Sequence, residues 1–371
     1  MAKAFGIVTS SGNHIWVEGL QNYRPIAAFS FLGRYRMIDF PISNMSNSGI
    51  NRIQVYVGAK PRSLTEHIGS GRHYNINSKR GKVQMLFAEN RSENDIYNTD
   101  IAAFAENLEH IEKMKEEYVI IAPSYMVYIM NFDQLLDTHV DSGADVTLLY
   151  HKTDIANQKF LNCDYLELNR QQGILSIAKN RGNEENRNVF MDTYVMKKDL
   201  FVKLILEARS ISSMYTLPQI LNMSCDKLDV RGYEHTGFFA TITDFKSYYN
   251  ANLSLIDFAK AEELFREDWP IYTRTNDSAP THYFDSAEVK NSVISNGCSI
   301  EGTVINSVIG RGCTIKKGVV VKNSVVLPDS YIAEGISVEC QVIDKHSKLL
   351  HCKELIGSVE QPGYIRRGDV L

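Results

Sequence analysis

The sequence predicts an α/β domain built on a mostly parallel sheet, followed by a smaller parallel β-helix, and three observations carry that prediction. Over the first 250 or so residues, apolar β-branched runs alternate with helical patterns, as in "RIQVYVGA" (52–59), "EYVIIAPS" (117–124) and "ADVTLLYHK" (144–152). A stretch rich in turn residues, "WPIYTRTNDSAPTHYFDS" (269–286), then interrupts both periods. Beyond it isoleucine or valine recurs at roughly six-residue steps: Ile294 and Ile300; Ile309, Ile315 and Val321; Val326, Ile332 and Val338. These mark a first domain over residues 1–268, a linker over 269–286 and a β-helix over 287–371.

Taken in chain order, the first strand leads into "GIVTSSGNHIW" (6–16), a turn with one glycine, Gly12, and no arginine or lysine before Arg24. A phosphate-binding turn normally needs several glycines, because only a bare backbone closes on phosphate oxygens and continues into a helix. "DFPISNMSNSG" (39–49) reads as a short helix, with Pro41 suited to its first turn and Gly49 to its end. "TDFKSYYNANLSLIDFAKAEELF" (243–265) reads as one long amphipathic helix capped by Asp244. In the last domain "SVISNGCSI" (292–300) returns as "SVIGRGCTI" (307–315), and "NSVI" at 291 and 306 returns as "NSVV" at 323. Hexapeptide spacing points one apolar side chain per short strand into a narrow core, and its repetition favours a β-helix over a small β-sandwich. The terminal coils of such a helix expose edges, so association is expected.

Composition excludes several functions. With 40 lysines and arginines against 44 aspartates and glutamates, the net charge of -4 gives no bulk attraction to nucleic acid or an anionic membrane. No apolar run approaches the roughly 20 residues of a membrane span, and the start lacks a signal-peptide pattern, so a cytoplasmic protein is expected. The six cysteines are scattered without a C-x-x-C pair, which fits reduced thiols rather than a disulfide framework or zinc site. "HSKLLHC" (346–352) is the nearest thing to a metal-binding cluster, and solvated histidines explain it as well.

Four stretches are more specific: "GRYRMIDFPISNMSNSGI" (33–50), "HIGSGRHYNI" (67–76), "YYNANLSLI" (248–256) and "IYTRTNDSAPTHY" leading into the hexapeptides. In order along nearly the whole chain, they resemble glucose-1-phosphate adenylyltransferase, or ADP-glucose pyrophosphorylase. The resemblance implies a Rossmann-like nucleotidyltransferase domain joined to a left-handed β-helix, assembled as a tetramer. It also implies a reaction of ATP with glucose 1-phosphate that yields ADP-glucose and pyrophosphate for bacterial glycogen.

The match fails where that chemistry would sit. The family's first turn resembles L-A-G-G-x-G-x-R-L; here the leading glycines fall on Ser10 and Ser11, the third on Asn13 and the phosphate-neutralising arginine on Ile15. The magnesium-holding aspartate of its G-D-H segment falls on Tyr125, between Ser124 and Met126, or on Ser124 with a shift of one. That of its D-V-G-T segment falls on Thr241 in "TITD" (241–244), leaving Asp244 as a helix cap. On the sugar side E-K-P becomes "AKN" (178–180) and S-M-G-I-Y becomes "FMDTY" (190–194), which puts Phe190 in place of a small polar group.

The resemblance therefore implies a regulatory subunit that pairs with a catalytic ADP-glucose pyrophosphorylase subunit in a hetero-oligomer, a tetramer. It implies no catalytic or metal-holding residue in this chain and no cofactor bound by it, the Mg²⁺ being required by the catalytic partner. Residual substrate contacts would come from Lys179 and Arg24, Lys179 being either a phosphate ligand or a solvated hairpin lysine. Arg34, Arg36, Arg366 and Arg367 are candidates for a phosphorylated-metabolite effector, because a guanidinium fork matches phosphate oxygens, and equally for ion pairs. A weakly active adenylyltransferase is the alternative; an acyltransferase is disfavoured, since the repeats carry no inserted loop with a catalytic histidine.

Overall fold

The computed structural model describes residues 3–10, 15–77, 79, 81–87 and 94–371, so Ser11, Gly12 and Asn13 lie outside the described residues. The first domain is organised by a nine-stranded sheet. Its strands are β1 (Ala4–Thr9), β2 (Arg52–Val57), β3 (Lys82–Phe87), β4 (Tyr118–Pro123), β5 (Val146–Thr153), β6 (Asp164–Leu168), β7 (Ile174–Lys179), β8 (Arg187–Lys197) and β9 (Val230–His235). The order is β7-β6-β8-β4-β1-β2-β3, with β5 pairing β8 and β9 off that path. β1 lies between β2 and β4, parallel to both, and buries Phe5, Ile7 and Val8 completely, as a strand covered on both faces must.

The sheet is mixed where the sequence predicts it mostly parallel. β8 runs antiparallel to β4, β5 and β6, and β6 is antiparallel to β7. The five-residue connection 169–173, far shorter than a parallel crossover needs, makes β6 and β7 a hairpin, and β8 pairs the other edge of β6, antiparallel to it.

The helix Asp39–Asn47 forms as expected, with Gly49 at a left-handed φ of 75° just beyond it. The stretch 243–265 is instead two helices, Phe245–Ser254 and Phe258–Leu264. Asp244 caps the first by accepting from the Ser247 N–H at 2.7 Å. Asp257 caps the second by accepting from the Ala259 N–H at 3.1 Å, and this second start is what breaks the helix.

The last domain is a left-handed parallel β-helix of five coils, whose short strands stack into three five-stranded sheets. Its strands begin at His282–Tyr283, inside the stretch read as linker. Ile300, Ile315, Ile332 and Leu349 stack in register and are fully buried, with Val304, Val321 and Val338 forming a second row. The chain turns each coil through a left-handed residue, Asn291, Asn306 and Asn323, with φ between 43° and 47°, and the Asn291 amide donates to Asn306 Oδ1 at 2.7 Å.

The two domains share one core. Val308, Val325, Leu327 and Val342 of the β-helix pack in the same buried cluster as Phe29, Phe31 and Tyr248 of the first domain. Gly33, at φ 66°, lies so close to the helix that a Cβ there would fall 2.7 Å from the Ile309 carbonyl oxygen. The hydroxyls of Tyr248 and Tyr249 donate to the carbonyls of Ser30 (2.6 Å) and Asn323 (2.5 Å) on the two sides of that seam.

Candidate functional site

The ends of β1 and β4 bring together the segments that the sequence marks as altered. The Ser124 N–H donates to the Thr9 carbonyl at 3.1 Å. Met126 pairs with Thr241 across a two-stranded ribbon, and the Ile242 N–H donates to the Tyr125 carbonyl at 2.9 Å. Tyr125 and Thr241 are thus neighbours, as two positions gripping one metal would be. Both are buried, and neither is a carboxylate.

The space beside Tyr125 is filled, whereas Thr241 lines a wider groove. Ile15, Tyr125 and Phe190, each no more than 5% exposed, close on Asn162, Asp164 and Asp192 and leave a cavity of about 10 Å³. That volume is at the lower limit for one water molecule. Asp192 sits on a β-bulge of β8 at a left-handed φ of 47°, which an aspartate tolerates better than most residues. Its oxygens accept from the hydroxyls of Tyr125 (3.1 Å) and Tyr194 (2.5 Å). Burial, then the charge of Asp192, pushes the Asp100 carboxyl up to about 7. Burial likewise raises the Cys163 thiol, which donates to Thr241 Oγ1 at 3.9 Å, to about 12. On the nucleotide side, Ser10, Trp16, Tyr56, Asp100 and Ser124 border an opening of about 140 Å³. Small-molecule sites usually start near 300 Å³.

Of the residues singled out for substrate contact, Arg24 lines the nucleotide-side opening and Lys179 sits beside Asp164 at the edge of the remnant. Lys179 is paired with Asp164 at 2.9 Å. Arg24 is 2% exposed and its guanidinium bonds Asp344 of the last coil, a carboxylate that also accepts from the Tyr364 hydroxyl at 2.8 Å. Of the effector candidates, Arg36 donates to the carbonyls of Ala28 and Ser63 at 3.2 and 3.3 Å, and burial lowers its pKa, opposed by Asp39. Burial, then the charges of Arg36, Arg24 and Arg367, holds the Lys345 ammonium well below the usual lysine range. Arg36, Arg24, Arg367 and Lys345 therefore form one positive cluster at the seam. Arg34 is exposed, lies over the Tyr35 ring and faces Arg311, and Arg366 is exposed near the chain's end. Lys345 and Arg311 carry no sequence signal, because only the fold brings them to these arginines.

A nucleotidyl transferase family model matches residues 16–225, and a GlmU-like C-terminal hexapeptide model matches residues 280–360. The glycogen biosynthesis protein GlgD of Geobacillus stearothermophilus is 31% identical over 99% of this chain and 97% of its own. The chain belongs to the glucose-1-phosphate adenylyltransferase family of nucleotidyl transferases. GlgD of Bacillus subtilis is 26% identical over 99% of this chain and 97% of its own, and the glucose-1-phosphate adenylyltransferase of Fervidobacterium nodosum is 26% identical over 99% and 89%.

A magnesium ion, which the family's chemistry uses, does not fit Tyr125 and Thr241, the residues at the two positions that would hold it. Hard cations take oxygen ligands, chiefly carboxylates, and Tyr125 and Thr241 offer a phenol and a hydroxyl, both already hydrogen-bonded. Among the described residues the closest metal-like grouping is Asp39, His67 and His73, at the seam. Asp39 there already accepts from the Tyr74 hydroxyl (2.7 Å) and the Arg36 N–H (2.8 Å) and bonds His67 Nε2 (2.7 Å), which accounts for it as an internal polar network. No helix among the described residues is long and apolar enough to cross a membrane.

Proposed function

We propose that this chain is the regulatory, largely non-catalytic subunit of an ADP-glucose pyrophosphorylase, the enzyme that makes ADP-glucose and pyrophosphate from ATP and glucose 1-phosphate for bacterial glycogen. The reading rests chiefly on one observation: Ile15 and Tyr125, at positions where the family carries a cation and a metal carboxylate, pack with Phe190 around a remnant of about 10 Å³, and the neighbouring Thr241 is no carboxylate either. Losing one group that stabilises charge developing in a transition state commonly costs about a hundredfold or more. The names of two relatives, glycogen biosynthesis protein GlgD, support the place in glycogen biosynthesis.

A weakly active enzyme would need other carboxylates. Asp164 and Asp192 border the remnant, but Lys179 holds the first and two tyrosine hydroxyls the second. In the proposed assembly this subunit joins a catalytic subunit in a tetramer, and the partner supplies the Mg²⁺ site. The cluster of Arg24, Arg36, Lys345 and Arg367 takes a phosphorylated metabolite, with Arg34 and Arg366 at its margins.

Turnover of the purified chain, the catalytic subunit and their mixture, measured at equal ATP, magnesium and glucose 1-phosphate, tests this. Negligible turnover alone, with a changed rate or effector response on mixing, is expected. Family-like turnover of the chain alone would overturn the non-catalytic reading, and an unchanged partner would overturn the regulatory one.

A further inference from the structure

Beside the filled centre, a groove of about 1010 Å³ runs between the end of β5, the loop 154–161 and the helices Phe245–Ser254 and Phe258–Leu264. This is at the top of the range for a small-molecule site and suits an extended ligand. One wall is aromatic. The Phe160 and Phe239 rings lie 11° from parallel with centroids 5.2 Å apart, and the His151 ring leans on Phe239 at 5.1 Å.

That wall is held in a costly conformation. Phe160 adopts a left-handed φ of 58°, a strained conformation for a bulky residue that persists only when its surroundings impose it. Asn180, 1% exposed, imposes it: its Nδ2 donates to the carbonyls of Phe160 (3.0 Å) and Ala156 (2.9 Å), and its Oδ1 accepts from the Gly182 N–H (3.0 Å). A loop needed only as a connection would not require a strained aromatic on a buried amide.

The charges decide the ligand's class. Lys152 is paired with Glu234 (2.5 Å), Lys246 with Glu360, and Lys260 with Asp257 (3.7 Å), while Arg187 pairs with Glu184 (3.0 Å) and lies over the Tyr165 ring. Among the described residues Lys159 alone of the groove's cations lacks a carboxylate partner, and Asp154 and Glu263 in the same lining outnumber it. An anion would have to break existing pairs. The amides of Gln158, Asn186 and Asn250, by contrast, have no hydrogen-bond partner among the described residues. Each can donate and accept at once, as a hydroxyl does.

An apolar ring wall sharing one groove with uncommitted amides matches a sugar chain, whose C–H faces pack on rings while its hydroxyls bond amides. We propose that this groove binds a linear neutral oligosaccharide. Its identity as an α-linked glucan rests on the glycogen reading above; the neutral, aromatic and amide character of the site does not.

The test titrates the full-length protein, without partner, with maltoheptaose and separately with glucose 1-phosphate, by calorimetry. Saturable maltoheptaose binding is expected, weakened about tenfold or more (~1.4 kcal/mol) by the paired exposed substitutions Gln158→Ala and Asn186→Ala, and more by Phe160→Ala. Absent maltoheptaose binding, binding that survives the paired substitutions, or glucose 1-phosphate displacing the oligosaccharide would each overturn the proposal. So would a groove that fails to bind sugar while the same substitutions weaken association with the catalytic subunit, which would make it a subunit contact. The turnover effect on mixing is measured separately and bears only on the regulatory role.

Discussion

At the scale of single residues, the altered centre replaces metal chemistry with a hydrogen-bonded plug. Tyr125 and Tyr194 both donate to Asp192, and burial, then the charge of Asp192, raises the Asp100 carboxyl to about 7. A carboxyl whose pKa is higher folded than unfolded binds more protons in the native state between the two values. Stability contributed by Asp100 is therefore fully present at low pH and is lost as pH rises from near its unfolded value, about 4, to about 7. Asp100→Asn should remove that decline, leaving a flatter stability profile over this window by urea titration at successive pH values; an unchanged slope would mean that Asp100 is ionised throughout. The positions of Tyr125 and Thr241 were legible in the sequence only as the places where the family's G-D-H and D-V-G-T segments lapse. Asp192 as the hydrogen-bonding partner of Tyr125 was not, because a bulge in β8 decides where it points. Lys345 was illegible for a related reason: its cationic neighbours Arg24 and Arg36 lie more than 300 residues away in the chain.

At the scale of elements, the hexapeptide repeat is the most legible feature, since one apolar side chain per short strand leaves a period that few other folds share. The corners add a second rule. Asn291, Asn306 and Asn323 turn successive coils at left-handed φ, and Cys340 takes the same turn on the next coil at 51°. Replacing Asn306 by valine should cost about 1–2 kcal/mol, the penalty for an ordinary side chain in that backbone region, whereas Asn306→Gly should cost less. Both changes lose the amide ladder to Asn291, so the difference between their melting temperatures isolates the backbone term. Equal melting temperatures would mean that the ladder, and not the φ angle, fixes the corner. The stretch 243–265 taught the opposite lesson. Its apolar period runs on through both helices, and the break at Asp257 rests on a capping bond that competes with helix continuation only once the packed ends are fixed.

At the scale of the whole molecule, a turn-rich linker suggests two domains that fold apart, yet the packing says otherwise. Core residues of the β-helix and of the first domain form one buried cluster, and Arg24 crosses the seam to Asp344, which also accepts from the Tyr364 hydroxyl and from the Lys345 N–H at 2.6 Å. An ordinary contact between domains is polar and permits relative motion; this one continues both interiors. The chain should consequently unfold in a single transition despite its 371 residues, with calorimetric and van't Hoff enthalpies in a ratio near one. Asp344→Ala leaves the Arg24 charge buried and unpaired, a change worth about 3–5 kcal/mol where such pairs have been broken. Because that cost falls on the seam and not within either sheet, the variant should unfold in two resolved steps, or in one broadened step with the ratio below one. Two resolved steps in the unaltered protein would show that the domains are thermodynamically separate. A single seam of this kind also means that an anion, were one bound by Arg36, Lys345 and Arg367 as proposed, would act on both domains at once.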